Sequence, residues 1–297
     1  MSRGRSGPGG GTPERSYGAL GLVLSGCVSV QFGGALAVSL MPRAGVLGIV
    51  ALRLVLAALV LLVVCRPALR AHSRADWVTV LVFGTVMAAM NGFFYEAVDR
   101  IPLGAGVTLE VLGPLALSVI ASRRLINFVW AGCALAGVFL LSGLGGGGIG
   151  GLDPVGVAFG LAAAVMWATY ILFSARTGRR FPQADGLALA MAFGALLALP
   201  FGIVDSGPAM LAPSTVGLAL GVAVMSSVLP YTFELLALRR LPAATFAVLM
   251  SLEPAIAATA GFLILDQAVT AVDAVAIALV IGASIGAIRT QFKALGN

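Results

Sequence analysis

The sequence predicts an all-α polytopic membrane protein in which ten transmembrane helices form two inverted five-helix repeats, with both termini in the cytoplasm. Three observations predict this fold: the apolar composition, an internal duplication and the placement of the basic residues. Of the 297 residues, 60% are hydrophobic and only 10% are charged, whereas a soluble globular domain carries about 25% charged residues. The composition therefore excludes an ordinary soluble protein.

Apolar runs long enough to cross a bilayer follow one another along the chain with short breaks between them. A helix needs about 20 apolar residues to cross about 30 Å of hydrocarbon, and a barrel strand has only about 10 alternating residues. The run length therefore favours helices. The ten runs begin near Tyr17, Val46, Trp77, Pro102, Asn127, Asp153, Asp185, Ser214, Pro242 and Thr270.

The first run admits one alternative, because Ala35 to Ala37 resembles a signal-peptide cleavage site. The apolar run before it is longer than the apolar region of a typical signal peptide. The duplication described below also requires this segment as a helix, so the sequence favours a retained first helix.

Basic residues lie mainly on one side of this predicted topology. With a cytoplasmic N-terminus, fifteen of the eighteen Lys and Arg residues fall in interior loops and tails, and the exterior loops hold Arg43 and Arg100. This asymmetry follows the positive-inside rule. The net charge of +6 is therefore interpreted as a topology signal, and no nucleic-acid partner is predicted.

A shift of 140 residues aligns "RIPLGAGVTLEVLGP" (100–114) with "RLPAATFAVLMSLEP" (240–254), including the final Leu-x-Pro. Since five helices is an odd number, the second copy is inverted, and inverted repeats are typical of transporters with a midplane substrate site. The glycine run between the copies lacks the Gly-Lys-Ser/Thr of a phosphate loop and is interpreted as a linker. The predicted organisation is a disordered cytoplasmic tail (1–16), a first repeat (17–143), a glycine linker (144–152), a second repeat (153–290) and a cytoplasmic tail (291–297).

Glycines spaced four apart predict close helix packing, because they let two backbones approach within lipid. The three pairs are Gly156 with Gly160, Gly217 with Gly221, and Gly282 with Gly286.

Five charged residues fall inside predicted spans: Arg53, Glu96, Glu110, Glu234 and Glu253. A charge at the helix centre costs about 2.5–3.5 kcal/mol on insertion scales, so these side chains are expected to face one another or a wet cavity. A static ion pair between Arg53 and one glutamate is the structural alternative. That alternative leaves a surplus of carboxylates without an explanation.

Three prolines predict the wall of the same cavity. Pro114, Pro230 and Pro254 cannot donate an N–H to the carbonyls of Glu110, Ser226 and Met250, each four residues earlier. Such carbonyls are tolerated at membrane depth only where they face protein or water. The polar or aromatic residues placed near this cavity are Gln31, Asn91, Tyr95, Trp167, Tyr170 and Tyr231, and for the aromatic ones simple helix packing is an equally good interpretation.

Chemistry other than transport finds little support in the sequence. Cys27, Cys65 and Cys133 lie in separate runs and form no metal-ligand or disulfide pattern. His72 is alone in a basic loop. No cofactor, metal or enzymatic activity is predicted, and a passive channel is disfavoured because one chain already contains two pseudo-symmetric halves.

Two blocks carry a family resemblance: "MNGFFYEAVDRIPLGAGVTLEVLGPLALSVIASRR" (90–124) and "LPYTFELLALRRLPAATFAVLMSLEPAIAA" (229–258). They resemble the threonine/homoserine exporter group of the drug/metabolite transporter superfamily, EamA-domain type, and the likeness extends over about residues 20 to 290. The pair Leu265-Asp266 departs from the Gly-Glu of many relatives. The resemblance implies export of small amino acids across the inner (plasma) membrane by proton antiport.

The residues and the resemblance together predict a mechanism. The carboxylate of an amino-acid zwitterion contacts Arg53 and its ammonium contacts Glu110 or Glu253, and a proton from outside then releases it. The predicted substrate-binding residues are Arg53, Glu110, Glu253, Asn91, Tyr95, Gln31, Trp167 and Tyr231. Burial favours the neutral form of a carboxylate, so Glu110, Glu253, Glu234 and Glu96 are the predicted proton-coupling residues.

The predicted partners are the amino acid, protons and the lipid bilayer, with monomer and dimer both open. The alternative is a broader metabolite or drug exporter of the same fold, in which Trp167 and Phe94 matter more than charge.

Overall fold

The computed structural model describes residues 13–69, 72–122, 125–141, 152–181, 184–230, 233 and 248–295. Within these ranges every regular element is helical. The helices of the first half are α1 (Pro13–Ala44), α2 (Val46–Cys65), α3 (Arg74–Val98), α4 (Leu103–Glu110), α5 (Leu112–Ser122) and α6 (Leu125–Leu141). Those of the second half are α7 (Pro154–Arg180), α8 (Asp185–Ser206), α9 (Pro213–Ala223), α10 (Glu253–Leu265) and α11 (Ala271–Leu295), with a 3₁₀ turn at Gly207–Leu211 and a π-helical turn at Val224–Val228.

The helices have the length and composition of membrane spans. In the described part of the chain, seven helical segments are long and apolar enough to cross a bilayer, and three shorter apolar segments cover residues 103–117, 128–141 and 213–228. A polytopic all-α membrane protein is therefore confirmed. Helix α1 begins at Pro13, four residues before the first predicted span, and most of the predicted glycine linker lies outside the described residues.

Several helices are interrupted where the sequence contains a carboxylate and a proline. Helix α4 ends at Glu110, Val111 forms a turn, and Pro114 lies in the first turn of α5. In the second half, Ser251 and Leu252 form a turn before α10, and the ring of Pro254 lies in its first turn. Proline fits there because the first N–H groups of a helix have no intrahelical partner.

Close helix contacts occur at some of the predicted glycine pairs but not at all of them. A Cβ on Gly156 would lie 2.7 Å from Ile101, and one on Gly160 would lie 2.8 Å from Leu109, so this pair packs closely as expected. A Cβ on Gly217 or Gly221 would meet nothing within 4 Å. Among the described residues, nothing packs closely against Gly217 or Gly221, so the predicted close contact is not seen there.

In the third predicted pair, Gly282 and Gly286, only one glycine has a close contact among the described residues. A Cβ on Gly286 would lie 2.5 Å from the ring of Trp130, whereas one on Gly282 would meet nothing within 4 Å. One close helix crossing without a GxxxG pattern joins α3 and α8, where a Cβ on Gly194 would lie 2.7 Å from the Gly84 carbonyl oxygen. Neither glycine has a partner four residues away in sequence, so the pattern could not reveal this crossing.

Side chains of the second half cap helices of the first half. The Asp205 carboxylate accepts a hydrogen bond from the N–H of Leu47 (2.9 Å) and a longer one from that of Gly48 (3.4 Å), both in the first turn of α2. The Gln267 side-chain oxygen accepts from the N–H of Leu103 at the start of α4 (2.9 Å). Because the first N–H groups of a helix lack intrahelical partners, these caps fix the two halves against each other.

Candidate functional site: a polar chamber between the two halves

A cavity of about 200 Å³ lies between the two halves of the chain. Its wall contains residues from α1, α2, α3 and α4 of the first half, and from α7, the π-helical turn and the start of α10 of the second. Seven of the predicted substrate-binding residues line it: Gln31, Arg53, Asn91, Tyr95, Glu110, Trp167 and Glu253. We call this cavity the chamber.

Arg53 is held in the chamber by one residue from each half. Its Nη1 donates a hydrogen bond to the Tyr95 hydroxyl at 2.8 Å, and its Nη2 donates to the Ser226 carbonyl at 3.3 Å. The guanidinium carbon also lies 5.5 Å from the centre of the Tyr95 ring, within the distance at which a cation is attracted to an aromatic face. Tyr95 itself is fully buried, so this anchor is rigid.

The Ser226 carbonyl is available to Arg53 because of a proline. Pro230, four residues later, has no N–H to donate to it. Ser226 lies in the π-helical turn Val224–Val228, and such single turns are frequent at functional sites. The sequence had already indicated that this carbonyl lacks its usual helical donor, and the tertiary structure supplies the guanidinium as donor.

The two chamber carboxylates lie at helix ends. Glu110 is the last residue of α4 and lines the same cavity as Arg53. Glu253 is the first residue of α10 and its side chain is buried. Glu110 therefore lies between the negative end of α4 and the positive end of α5, whereas Glu253 lies at the positive end of α10.

Amide and aromatic side chains complete the wall. The Asn91 Nδ2 donates to the Met87 carbonyl one turn earlier on α3 (2.9 Å), so one of its two N–H groups is used within its own helix. The Tyr170 ring packs 5.2 Å from that of Phe83, and the Phe94 ring packs edge-on against Tyr95 at 5.4 Å. Tyr95 and Tyr170 therefore pack against neighbouring rings and also lie in the chamber wall.

The structure separates Glu96 from the other carboxylates. Its Oε2 lies 3.1 Å from Arg100 Nη1, and it lines a different and mainly apolar pocket with residues such as Phe159 and Phe201. Glu96 follows Tyr95 directly, and consecutive residues point about 100° apart around a helix. Tyr231 and Glu234 lie outside the described residues.

Sequence reasoning did not select some of the chamber residues. Gly34, Met90 and Val107 line it but carry no charge or polar side chain that could have indicated a site. A Cβ on Gly34 would meet nothing within 4 Å, so this glycine leaves open space in the wall. Helical spacing offered one signal, because Gly34 follows Gln31 by three residues and therefore lies on the same helix face.

Comparison with known proteins identifies the family. The model of the EamA-like transporter family matches residues 154–289. The chain is 37% identical over 272 residues to the threonine/homoserine exporter RhtA of Escherichia coli (strain K12), covering 92% of each chain. It is 38% identical over 262 residues to RhtA of Salmonella typhimurium (strain LT2), covering 88% of each.

A solved structure titled only "Crystal structure of protein" matches with a TM-score of 0.63 at 20% identity, covering 93% of this chain and 98% of that one. At this identity the likeness concerns the fold alone. The two relatives are named as exporters and not as enzymes, and the apolar helices agree with that role. The chain therefore belongs to the EamA-like transporter family, as a multi-pass exporter of the inner membrane.

Proposed function

We propose that this protein exports small amino acids of the threonine and homoserine class in exchange for protons. The observation that carries the proposal is the chamber itself, in which one arginine and two glutamates from both halves surround a single cavity. The relatives named as threonine/homoserine exporters support the substrate class. The chamber volume of about 200 Å³ also supports a small substrate, since pockets for drug-sized ligands enclose about 300–1,000 Å³.

The charges of the chamber complement an amino-acid zwitterion. A guanidinium presents a planar fork of N–H donors that matches a carboxylate, so Arg53 binds the substrate carboxylate. An ammonium group requires negative or neutral oxygen acceptors, which Glu110 and Glu253 supply. The positive helix end at Glu253 stabilises a carboxylate there, so Glu253 is the proposed ammonium partner.

Glu110 is the proposed proton carrier, because the opposed ends of α4 and α5 stabilise a charge at this position less than the start of α10 stabilises one at Glu253. A proton from outside neutralises Glu110 and weakens the attraction for the substrate ammonium, so the substrate leaves outward. The chamber then opens inward, and the proton leaves to the cytoplasm. Glu234 stays a candidate for a further proton site on sequence grounds alone, whereas the geometry of Glu96 gives no support for such a role.

The exporter is proposed to use ten transmembrane helices as two inverted repeats, with both termini in the cytoplasm. The seven long and three short apolar segments are compatible with this number. Arginines at the end of α7 (Arg176, Arg179 and Arg180) agree with a cytoplasmic position for that end. Cysteine-labelling of both termini from each side of the membrane tests this topology, and a label reaching either terminus from outside would contradict it.

The function is tested with purified protein in proteoliposomes. Radiolabelled threonine and homoserine should accumulate on one side when a pH gradient is imposed, and accumulation should collapse when a protonophore dissipates the gradient. Transport of these amino acids without any dependence on the gradient would contradict proton exchange. Absence of transport of both amino acids would contradict the substrate class.

A broader exporter is the second candidate, and the aromatic part of the wall favours it. Phe94, Trp167 and Tyr170 line the chamber beside the charged residues, and aromatic faces attract lipophilic cations. Competition of a lipophilic cation against labelled threonine separates the two candidates. Threonine uptake that resists the cation supports the narrow exporter, and transport of the cation itself supports the broad one.

A further inference from the structure

The Ser226 carbonyl accepts a hydrogen bond from an N–H group of Arg53 that a substrate carboxylate could also use. Arg53 donates one arm of its fork to Tyr95 and the other to Ser226. A carboxylate bound in the two-pronged manner typical of arginine uses two N–H groups at once. Of the five N–H groups of the guanidinium, a carboxylate bound across the two Nη atoms uses one on each, and in that arrangement it competes with this carbonyl for Nη2.

The two contacts of Arg53 differ in length, and the difference indicates which one yields. The bond to Tyr95 is 2.8 Å long, whereas that to Ser226 is 3.3 Å, just beyond the usual range of about 2.7–3.2 Å for N–H···O bonds. An ionised acceptor forms a bond roughly twice as strong as a neutral one. A substrate carboxylate therefore displaces the Ser226 carbonyl more readily than the Tyr95 hydroxyl.

The bond to Ser226 joins the two halves of the chain, since Arg53 belongs to α2 and Ser226 to the π-helical turn after α9. Helix α1 contacts the same turn, because Ser29 Oγ donates to the Met225 carbonyl at 2.7 Å. The π-helical turn is thus held by two polar bonds from the first half. Only one of these bonds involves a group that also contacts the proposed substrate.

We propose that the Ser226 carbonyl acts as an internal stand-in for the substrate carboxylate, so that substrate binding at Arg53 releases the π-helical turn from α2. This inference rests on the proposed function and adds to it the step that links binding to movement. Pro230 is the positioning residue, because its missing N–H leaves the Ser226 carbonyl able to accept from Arg53.

The test gives Ser226 a competing donor. Pro230→Ala supplies a backbone N–H four residues after Ser226, which pairs with one of the two lone pairs of its carbonyl oxygen and so weakens the bond to Arg53. Threonine should then bind more tightly, with a dissociation constant lower by about three- to tenfold. The maximal rate of transport should fall at least several-fold, because binding no longer releases a bond between the halves.

Pro200→Ala is the matched control, since Pro200 also lies inside a helix but is exposed and belongs to α8. It should leave affinity and rate as in the wild type. A Pro230→Ala variant with unchanged affinity, or with a lower rate and weaker binding, would overturn the inference. Failure of the wild type to transport threonine would instead overturn the proposed function, so the two failures are distinguishable.

A second measurement keeps both prolines and so does not depend on the folding of the Pro230→Ala variant. Spin labels at Leu59→Cys on α2 and Leu220→Cys on α9, both exposed positions, report the distance between the halves in a background without the native cysteines. Threonine should shift the distance distribution, and threoninol, which lacks the carboxylate, should not. An equal shift with both compounds, or a shift with neither, contradicts the inference.

Discussion

The two halves of the chain carry aligned prolines, but they place their carboxylates at opposite helix ends. Pro114 and Pro254 are 140 residues apart and each accompanies a break in a helix. In the first half the carboxylate of Glu110 ends α4, four residues before its proline, whereas in the second half Glu253 begins α10 directly before its proline. Aligned backbone breaks therefore create two different electrostatic environments.

This difference teaches how a duplicated fold acquires two separate roles. A carboxylate at the positive end of a helix is stabilised, and one at the negative end is not. A shift of the glutamate by three residues relative to the proline is enough to move it from one end to the other. The proposed division between an ammonium partner at Glu253 and a proton carrier at Glu110 depends on this shift.

Removal of Arg53 should have the largest effect, because Glu110 and Glu253 then line a chamber that has lost the guanidinium proposed to bind the substrate carboxylate. Arg53→Ala is expected to weaken threonine binding by about tenfold to a hundredfold, as a lost hydrogen bond to a charged group is worth about 1.5–3 kcal/mol. The measurement is equilibrium binding of labelled threonine to purified protein. Arg100→Ala is the control, since Arg100 pairs with Glu96 and Asp99 away from the chamber, and equal losses in both variants would contradict the role of Arg53.

Neutralising each carboxylate separately should sharpen the comparison. Glu253→Gln is expected to weaken threonine binding by about tenfold, because the substrate ammonium loses its charged partner. Glu110→Gln is expected to leave binding closer to the wild type but to abolish transport driven by a pH gradient, because the amide cannot carry the proton. Binding is measured with labelled threonine, and transport is measured in proteoliposomes with the gradient imposed in either direction.

The two variants also test the mechanism as a whole. If the two glutamine variants change binding and transport in the same way, the assignment of different roles to Glu110 and Glu253 from their positions at helix ends is wrong. Normal gradient-driven transport by both variants would contradict the assignment of proton coupling to either glutamate.

The prolines at the two breaks should contribute little to stability. Both lie in the first turn of a helix, where proline is well tolerated, so Pro114→Ala and Pro254→Ala should each change the free energy of unfolding by less than about 1 kcal/mol. Thermal unfolding in detergent measures both, and a gain near the ~3 kcal/mol that proline costs in a helix interior would contradict the position of the break at that proline.

The smallest effect is expected for a carboxylate outside the chamber. Glu96→Gln removes only a partly exposed pair with Arg100, and such pairs contribute about 0–1 kcal/mol. Threonine transport and its dependence on the pH gradient should stay within about twofold of the wild type, since the change is within that energy. Loss of the pH dependence in this variant would restore Glu96 as a proton-coupling residue.

Composition and pattern alone determined that the chain is helical, membrane-embedded and charged in its interior. These features follow from the free energy of placing backbone and charge in hydrocarbon, which depends on residue type and run length and not on which helices are neighbours. The same reasoning selected Arg53, Glu110 and Glu253, and it indicated that Pro230 leaves the Ser226 carbonyl without its usual helical donor.

Only the tertiary structure decided which of these groups meet. The spanning helices are apolar on most faces, so no amphipathic stripe fixes how each one is rotated in the bundle. Glu96 and Tyr95 are neighbours in sequence, yet Tyr95 contacts Arg53 and Glu96 contacts Arg100. The contact between Arg53 and Ser226 likewise joins residues 173 positions apart, and its existence depends on the packing of two halves that the sequence describes only one helix at a time.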